Sequence, residues 1–210
     1  MHFAELDAVT VDGYGTLLRL ADPVPRLRRA LAGSGVERGD EQILRAFMAE
    51  VAHYKPRAHE AQDANSLAAL RLECAGVFLG ALAAPIDAES FVDAFMGALV
   101  FEPVPGAPEA LEQLRVRGVR LGVVANWDCS LPEQLERLGL LGPFDTVVTS
   151  ARAGVPKPDP AIFRLALQEL HAAPERALHV GDEPIDEDGA RAAGMNFAPA
   201  PLSDAFAGWS

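Results

Sequence analysis

Asp12 stands directly after the apolar run Ala8–Val11 and is followed by Gly13-Tyr-Gly15-Thr-Leu17. A carboxylate at a strand end with glycines behind it faces a ligand among backbone N–H groups, and the glycines permit positive φ and close approach of an anion. The same residues also suit an ordinary strand-to-loop turn capped by Asp. They are not a dinucleotide fingerprint, because Leu18 occupies the place of the third glycine. Three more apolar runs end abruptly at a polar residue: Asn126, Ser150 and, after one glycine, Asp182. Lys157 precedes Pro158-Asp-Pro160, and taken alone it reads as a surface lysine. The acidic run Asp182, Glu183, Asp186, Glu187, Asp188 reads alone as a solvated helix start favoured by the dipole. Gathered in one place, Asp12, Lys157 and Asp182 become carboxylates and a cation around one small anion.

Such gathering depends on the elements that carry these residues. Ala8–Val11, Val119–Ala125, Phe144–Thr149 and Ala177–Val180 are rich in Val or Leu and hardly alternate. They are predicted strands of a parallel sheet covered on both faces. Ser130-Leu-Pro-Glu133 has capping-box spacing and predicts a helix to about Leu140. Asp159-Pro160 gives an N-cap and a first-turn proline for a helix to about His171, and Gly189 to Gly194 belongs to a short helix after the fourth strand. Alternating strands and helices predict an α/β fold, a doubly wound parallel sheet with right-handed crossovers. Strands joined this way end on one edge, and ligands bind there where the strand order reverses. Asp12, Asn126, the loop after Ser150 and Asp182 are expected to converge at that edge.

The stretch from Asp12 to Val119 far exceeds the dozen or so residues a crossover needs. Pro108–Val116 suffices for the crossover helix. Residues 20–101 are expected to form an inserted helical cap, with 1–19 and 102–210 as the core. Asp40 is placed to cap a helix carrying Ile43, Leu44, Phe47, Met48 and Val51. A second helix carries Leu67, Leu70, Cys74, Val77 and Phe78 and ends at Pro85; a third follows Asp87 with Phe91, Val92, Phe95 and Met96. Each has one apolar stripe. The insert is either a small bundle with its own core or a lid over the sheet edge, since it leaves the sheet soon after Asp12. Pro103-Val-Pro-Gly-Ala-Pro108 reads as a hinge. His53, Tyr54 and Lys55 are candidates for a substrate contact from the lid, or else a solvated helix end. Trp127 and Cys129 either line the site or pack their loop, and His179, inside a strand, reads as a packed core histidine rather than a base.

A formal net charge of −12 argues against nonspecific nucleic-acid binding and against an anionic membrane surface, both of which need positive charge. A small phosphorylated molecule stays within reach through a metal or a few local cations. Two cysteines, Cys74 and Cys129, exclude a multi-bridge framework and a four-thiolate zinc site. No Lys or Arg precedes the first apolar stretch, so no signal peptide is expected, and the longest uncharged apolar run, Ala75–Ile86, falls short of the roughly 20 residues of a membrane span. A cytoplasmic protein with a small-molecule substrate, no nucleic acid and no membrane is expected; the sequence leaves oligomeric state open.

Asp12-Gly-Tyr-Gly-Thr-Leu17 resembles motif I of the haloacid dehalogenase-like (HAD) hydrolase superfamily. Val123-Val-Ala-Asn126 resembles motif II, Gly154-Val-Pro-Lys157-Pro-Asp-Pro160 motif III, and His179-Val-Gly-Asp182-Glu-Pro-Ile-Asp186 followed by Asp188-Gly-Ala-Arg-Ala-Ala-Gly194 motif IV. The four occur in order at the predicted strand ends, and the insert matches the branch with a helical cap between motifs I and II. The resemblance implies Asp12 as nucleophile, forming a phosphoaspartate that water cleaves. A carboxylate is a weak nucleophile and a phosphoryl group is anionic, so the like charges must be neutralised. The resemblance assigns that to Lys157 and to Mg²⁺, a hard ion that prefers oxygen. Asp12, the Tyr14 carbonyl and Asp182 are the implied ligands, with Asp186 assisting through water or by positioning Lys157.

Two positions depart from the family pattern. Phosphatases of this family carry an Asp acid–base where Tyr14 stands, and a phenol with a pKa near ~10 is a poor base. Such help is worth about 10²–10⁴-fold. Motif II has Ser or Thr where Ala125 stands, so a hydroxyl to the phosphoryl oxygen is missing, and Asn126 or a backbone N–H is the expected partial substitute. The first expectation is a Mg²⁺-dependent phosphatase for a small phosphorylated metabolite. The second is a metal-free 2-haloacid dehalogenase, which the Asp-x-Tyr-Gly-Thr pattern resembles and whose halide leaves without a proton. The third is a degenerate binder. Asp182 favours the first, because a carboxylate buried beside a nucleophilic carboxylate is costly without a cation.

Overall fold

The computed structural model describes residues 5–206. In chain order the elements are β1 (Ala8–Val11), β2 (Leu18–Leu20), α1 (Val24–Gly33), α2 (Asp40–Tyr54), α3 (Ala64–Ala81), α4 (Ala88–Ala98), β3 (Phe101–Pro103), α5 (Ala107–Val116), β4 (Arg120–Ala125), α6 (Leu131–Arg137), β5 (Thr146–Thr149), α7 (Ser150–Ala153), α8 (Pro160–Glu169), β6 (Ala177–Gly181), α9 (Pro184–Ala192), β7 (Asn196–Pro199) and α10 (Leu202–Ala205). Short 3₁₀ turns occupy Ala58–Glu60 and Pro174–Arg176.

The sheet is parallel throughout, in the order β5-β4-β1-β6-β7. The unalternating hydrophobicity of β1 follows from its central place, since a layer of helices covers each face. Val9, Val11, Leu121 and Val123 pack with Leu111, Leu114, Leu131 and Leu135 on one face. Ala8 and Val124 pack with Ile162, Phe163, Ala166 and Ala190 on the other. The chain moves outward from β1 to β4 and β5, then returns past β1 to β6 and β7. The order therefore reverses at β1, and the expected crevice lies where β1, β4 and β6 end.

Helices α1–α4 enclose a separate apolar cluster containing Leu27, Ile43, Phe47, Leu70, Phe78, Phe91 and Phe95. The Phe78 and Phe95 rings lie 5.1 Å apart between centroids. Asp63 caps α3 by accepting from the N–H groups of Asn65 and Ser66, each at 2.9 Å, and Asp87 caps α4 through Ser90 N–H at 3.1 Å. These helices leave and rejoin the core through an antiparallel ribbon, with Leu18 opposite Pro103 and Leu20 opposite Phe101.

Several details differ from the sequence expectations. Ser130 does not cap α6: it is itself helical in backbone, and Asp128 Oδ1 accepts from both its N–H (2.8 Å) and its hydroxyl (2.5 Å). Helix α6 also stops at Arg137 rather than near Leu140. Asp40 opens α2 from inside the first turn, with Gly39 as N-cap. The helix after β6 begins at Pro184, and α1, β7 and the β2–β3 ribbon were not anticipated. Among the described residues no helix is long and apolar enough to cross a membrane.

Candidate active site

Asp12 lies one residue beyond β1, where its N–H donates to Val180 O at 2.8 Å. It therefore sits at the crevice, and only 5% of it is exposed. The chain must then turn tightly. Gly15 adopts φ +93°, and a Cβ there would come within 2.2 Å of Asp182 Oδ2. Only glycine allows the loop after β1 to lie against the carboxylate that follows β6. The Thr16 hydroxyl donates to Asp182 Oδ1 at 3.3 Å across the same junction.

Lys157 comes from the loop leading to α8 and is also buried. An ammonium has three N–H donors, and all three are directed: to Asp12 Oδ1, to Asp186 Oδ1 at 2.6 Å and to Val124 O at 3.1 Å. Asn126 holds the main chain of Lys157 from both sides. Its Oδ1 accepts from Lys157 N–H at 2.7 Å and its Nδ2 donates to Lys157 O at 3.2 Å. Asp186 folds back from the first turn of α9, and its Oδ2 accepts from Glu183 N–H at 3.0 Å. Gly181 makes room, since a Cβ there would lie 2.4 Å from Asp186 Cγ.

Asp12, Lys157, Asp182 and Asp186 thus meet at one edge, as their strand ends implied. The three carboxylates bring oxygens within 4.8 Å of one another. Burial raises the Asp12 pKa to about 7; Lys157 pulls it down and the charges of Asp186 and Asp182 add to the rise. Burial also opposes the Lys157 charge, but Asp12 and Asp186 outweigh it and its pKa is raised. Burial opposes the Asp186 charge as well, yet His179 and Lys157 hold its pKa well below the ordinary carboxylate value. Asp182, expected to be buried, is instead exposed at the rim, and partial desolvation and then the charge of Asp186 raise its pKa. One ammonium cannot balance three carboxylates, and among the described residues no cationic side chain pairs with Asp182. An all-oxygen cluster with an unbalanced charge suits a hard divalent cation such as Mg²⁺.

The remaining candidates are placed differently. Tyr14 is 49% exposed, so its ring stands outside the buried cluster. Ala125 is buried, and a Cβ on Gly13 would lie 3.0 Å from its Cβ, so the methyl packs against the glycine loop. Asn126, expected to help hold a phosphoryl oxygen, clamps Lys157 with Oδ1 and with one of its Nδ2 hydrogens. Trp127 is a packing residue, buried with its ring 5.1 Å from Phe101. Of the lid candidates, Tyr54 and Lys55 meet residues at the sheet edge, although Lys55 stays exposed. Tyr54 donates to Asp128 Oδ2 at 2.8 Å, and Lys55 meets Glu183 Oε1 at 3.2 Å. Cys129 N–H donates to Ala61 O at 3.0 Å, whereas His53 pairs with Glu73 inside the insert. One stretch of the insert, 54–61, therefore holds both the loop after β4 and the loop after β6.

Sequence reasoning gave no role to Thr16, Asp128 or Thr10. An Asp two residues before a Ser is an Asx-turn signal that would have found the Asp128–Ser130 contact.

Residues 6–194 match the family described as haloacid dehalogenase-like hydrolase. The chain belongs to that family. It is a hydrolase of the haloacid dehalogenase-like class, with the four expected motif segments at the crevice. It is 35% identical over 207 residues to human haloacid dehalogenase-like hydrolase domain-containing protein 3, covering 93% of this chain and 82% of the relative. It is 38% identical over 128 residues to the ribulose-1,5-bisphosphate 5-phosphatase of Halopiger xanaduensis, a match covering 58% of this chain and 54% of that one. The matched stretch thus spans about half of that phosphatase. The fold is shared with L-2-haloacid dehalogenase from Xanthobacter autotrophicus, at a TM-score of 0.70 and 23% identity over 96% of this chain and 87% of the other.

Proposed function

We propose that this haloacid dehalogenase-like hydrolase is a Mg²⁺-dependent phosphatase of small phosphorylated metabolites, with Asp12 as nucleophile. The observation that carries this reading is Asp182 pressed against the glycine loop beside Asp12, within a cluster whose charge the protein alone leaves unbalanced. Asp12, Asp182 and the Tyr14 carbonyl would hold the ion, which when bound supplies positive charge against the phosphoryl oxygens. Asp186, whose oxygens already face Lys157, His179 and Glu183 N–H, acts chiefly by positioning Lys157. The match to a named phosphatase supports the same substrate class.

In this mechanism Lys157 holds Asp12 Oδ1 and orients the carboxylate. The other oxygen attacks phosphorus as the ester oxygen leaves with its electron pair, giving an aspartyl phosphate. Water then attacks that phosphorus, the bond from Asp12 to phosphorus breaks with its electron pair staying on the carboxylate, and inorganic phosphate leaves with the hydrogens of the water. Asn126 fixes Lys157 from behind; its second Nδ2 hydrogen is the side-chain donor left for a phosphoryl oxygen, since Ala125 offers none. Residues 20–101 act as the cap over residues 1–19 and 102–210 and exclude bulk water. With Tyr14 in place of an acid, esters whose leaving group needs no proton are the better substrates.

Tyr14 supports a second reading, halide displacement from a 2-haloacid, in which Asp12 attacks carbon and no acid is needed. One assay decides. Phosphate release from p-nitrophenyl phosphate or acetyl phosphate, lost with EDTA and lost in Asp12→Asn, is expected. Halide release from 2-chloropropionate that ignores EDTA would select the second reading. Neither release at any metal concentration would make the protein a binder, and an Asp12→Asn variant at full rate would remove the nucleophile.

A further inference from the structure

We propose that His179 is a positioning residue of this site: it fixes Asp186, and through Asp186 the Lys157 ammonium, while Thr10 determines which imidazole nitrogen carries the proton. The inference rests on the proposed pairing of Asp12 with Lys157 and goes beyond it, because no assigned step uses His179 or Thr10.

Thr10 and His179 are direct partners in the parallel register of β1 and β6, so their side chains leave the sheet side by side. Both are fully buried. Thr10 Oγ1 lies 2.8 Å from His179 Nδ1, and His179 Nε2 lies 3.3 Å from Asp186 Oδ1. Phe163 meets the imidazole edge-on, with centroids 5.0 Å apart, and fixes its plane. Asp186 Oδ1 is the same oxygen that receives the Lys157 ammonium.

Donor and acceptor counting then fixes the tautomer. A carboxylate only accepts, so Nε2 must carry a hydrogen toward Asp186. Burial disfavours an imidazolium here and the ammonium of Lys157 adds to that; together they outweigh Asp186 and the Thr10 main chain, which favour it, and the pKa is lowered. Nδ1 of the neutral ring is therefore an acceptor, and the Thr10 hydroxyl donates to it. The chain of donors runs from Thr10 to His179 to Asp186, where it meets the donor from Lys157. Two donors on Oδ1 and the Glu183 N–H on Oδ2 leave the Asp186 carboxylate no second orientation. Without the imidazole donor one of those three restraints is gone, and Lys157 loses its fixed distance to Asp12. Such a loss slows the chemical step more than it weakens substrate binding.

The test uses the full chain and two kinds of measurement. In ¹⁵N-histidine-labelled protein, long-range ¹H–¹⁵N correlation is expected to show His179 protonated at Nε2 and bare at Nδ1, a result that needs no enzymatic activity. Protonation at Nδ1 would overturn the inference. In kinetics, His179→Leu is expected to lower kcat by about 10–100-fold, with KM held within about twofold. His179→Gln, which restores an amide donor near Nε2, is expected to recover part of kcat. Thr10→Val is expected to lower kcat less and to loosen the tautomer preference in the spectrum. If His179→Leu gives no cooperative melt, the wild-type spectrum and Thr10→Val decide. His179→Leu, or Thr10→Val in that event, at wild-type kcat beside an inactive Asp12→Asn would sink this inference alone. An active Asp12→Asn would instead sink the reading it rests on.

Discussion

At the ends of β1 and β6 three carboxylates bring oxygens within 4.8 Å of one another, whereas helices α1–α4 bury Phe78, Phe91 and Phe95 together and turn most of their charges outward. The sheet edge is held by directed hydrogen bonds around a costly concentration of charge. The helical insert is held by apolar area, which is non-directional and tolerant of small shifts. Beside the β2–β3 ribbon and the packing of Ala58–Glu60 against α7, they are joined by the Tyr54–Asp128 hydrogen bond, the Lys55–Glu183 pair and the Cys129–Ala61 main-chain bond.

The largest effect is expected from Lys157→Met. Removing the one cation leaves Asp12 and Asp186 buried and unpaired, and breaking a buried pair costs about 3–5 kcal/mol. Thermal melting and phosphate release are both expected to collapse. A variant with an unchanged melting temperature would mean that the sheet edge is not held by charge.

Tyr14→Asp is expected to change rate and not stability, because the ring is half outside. An acid at this position can recover part of the about 10²–10⁴-fold that proton transfer contributes. The gain is expected in kcat on alkyl phosphates, whose leaving group needs a proton, and not on acetyl phosphate. Equal gains on both would remove the acid role from this position.

Metal and pH come next. The Asp12 pKa is raised from 3.8 to about 7. The folded state then binds more protons than the unfolded chain between those values, so the Asp12 contribution is fully present below 3.8 and lost as pH rises through about 7. Metal-free protein is expected to lose stability over that window, and added Mg²⁺ to restore it most above pH 7. At a hundredfold excess over Kd the gain is about 2.7 kcal/mol, or a rise of several degrees, about 2–4 °C per kcal/mol. Calorimetry on Asp182→Asn is expected to show no such rise. A full Mg²⁺ shift in that variant would place the ion elsewhere.

The smallest effects belong to the junction. Tyr54→Phe removes one hydrogen bond to a charged group, about 1.5 kcal/mol, and is expected to raise KM and to speed proteolysis within 54–61 ahead of global unfolding. Lys55→Ala, at an exposed pair, is expected to cost less than about 1 kcal/mol. If Lys55→Ala proved the more damaging of the two, the insert would be held electrostatically and salt would release it.

Much of the sheet edge was legible because buried parallel strands write unbroken Val and Leu runs that stop at Asp12, Asn126 and Asp182. The insert was legible in α2, α3 and α4, whose stripes repeat at helical spacing. Helix α1 escaped notice because Pro25 and the arginines of Val24–Gly33 mask its stripe, although Leu27 and Leu31 are fully buried. Strand β7 carries Asn196 and Pro199 at the sheet margin, where burial is incomplete. The β2–β3 ribbon has three residues per strand, too few for a period to be seen. The Ser130 cap failed because Ser130 is itself helical in backbone, with its hydroxyl turned to Asp128 two residues away. The link between Thr10 and His179 required the β1–β6 register, which no local pattern states.

The β2–β3 ribbon has a wider consequence. Leu18–Leu20 and Phe101–Pro103 run side by side, so the excursion returns to the place it left. To the sheet, everything between them is a plug-in cassette on a two-stranded stalk. A segment of another shape set between the same two strands would leave the order of the five-stranded sheet as it is, provided it keeps the contacts that 54–61 make with the loops after β4 and β6.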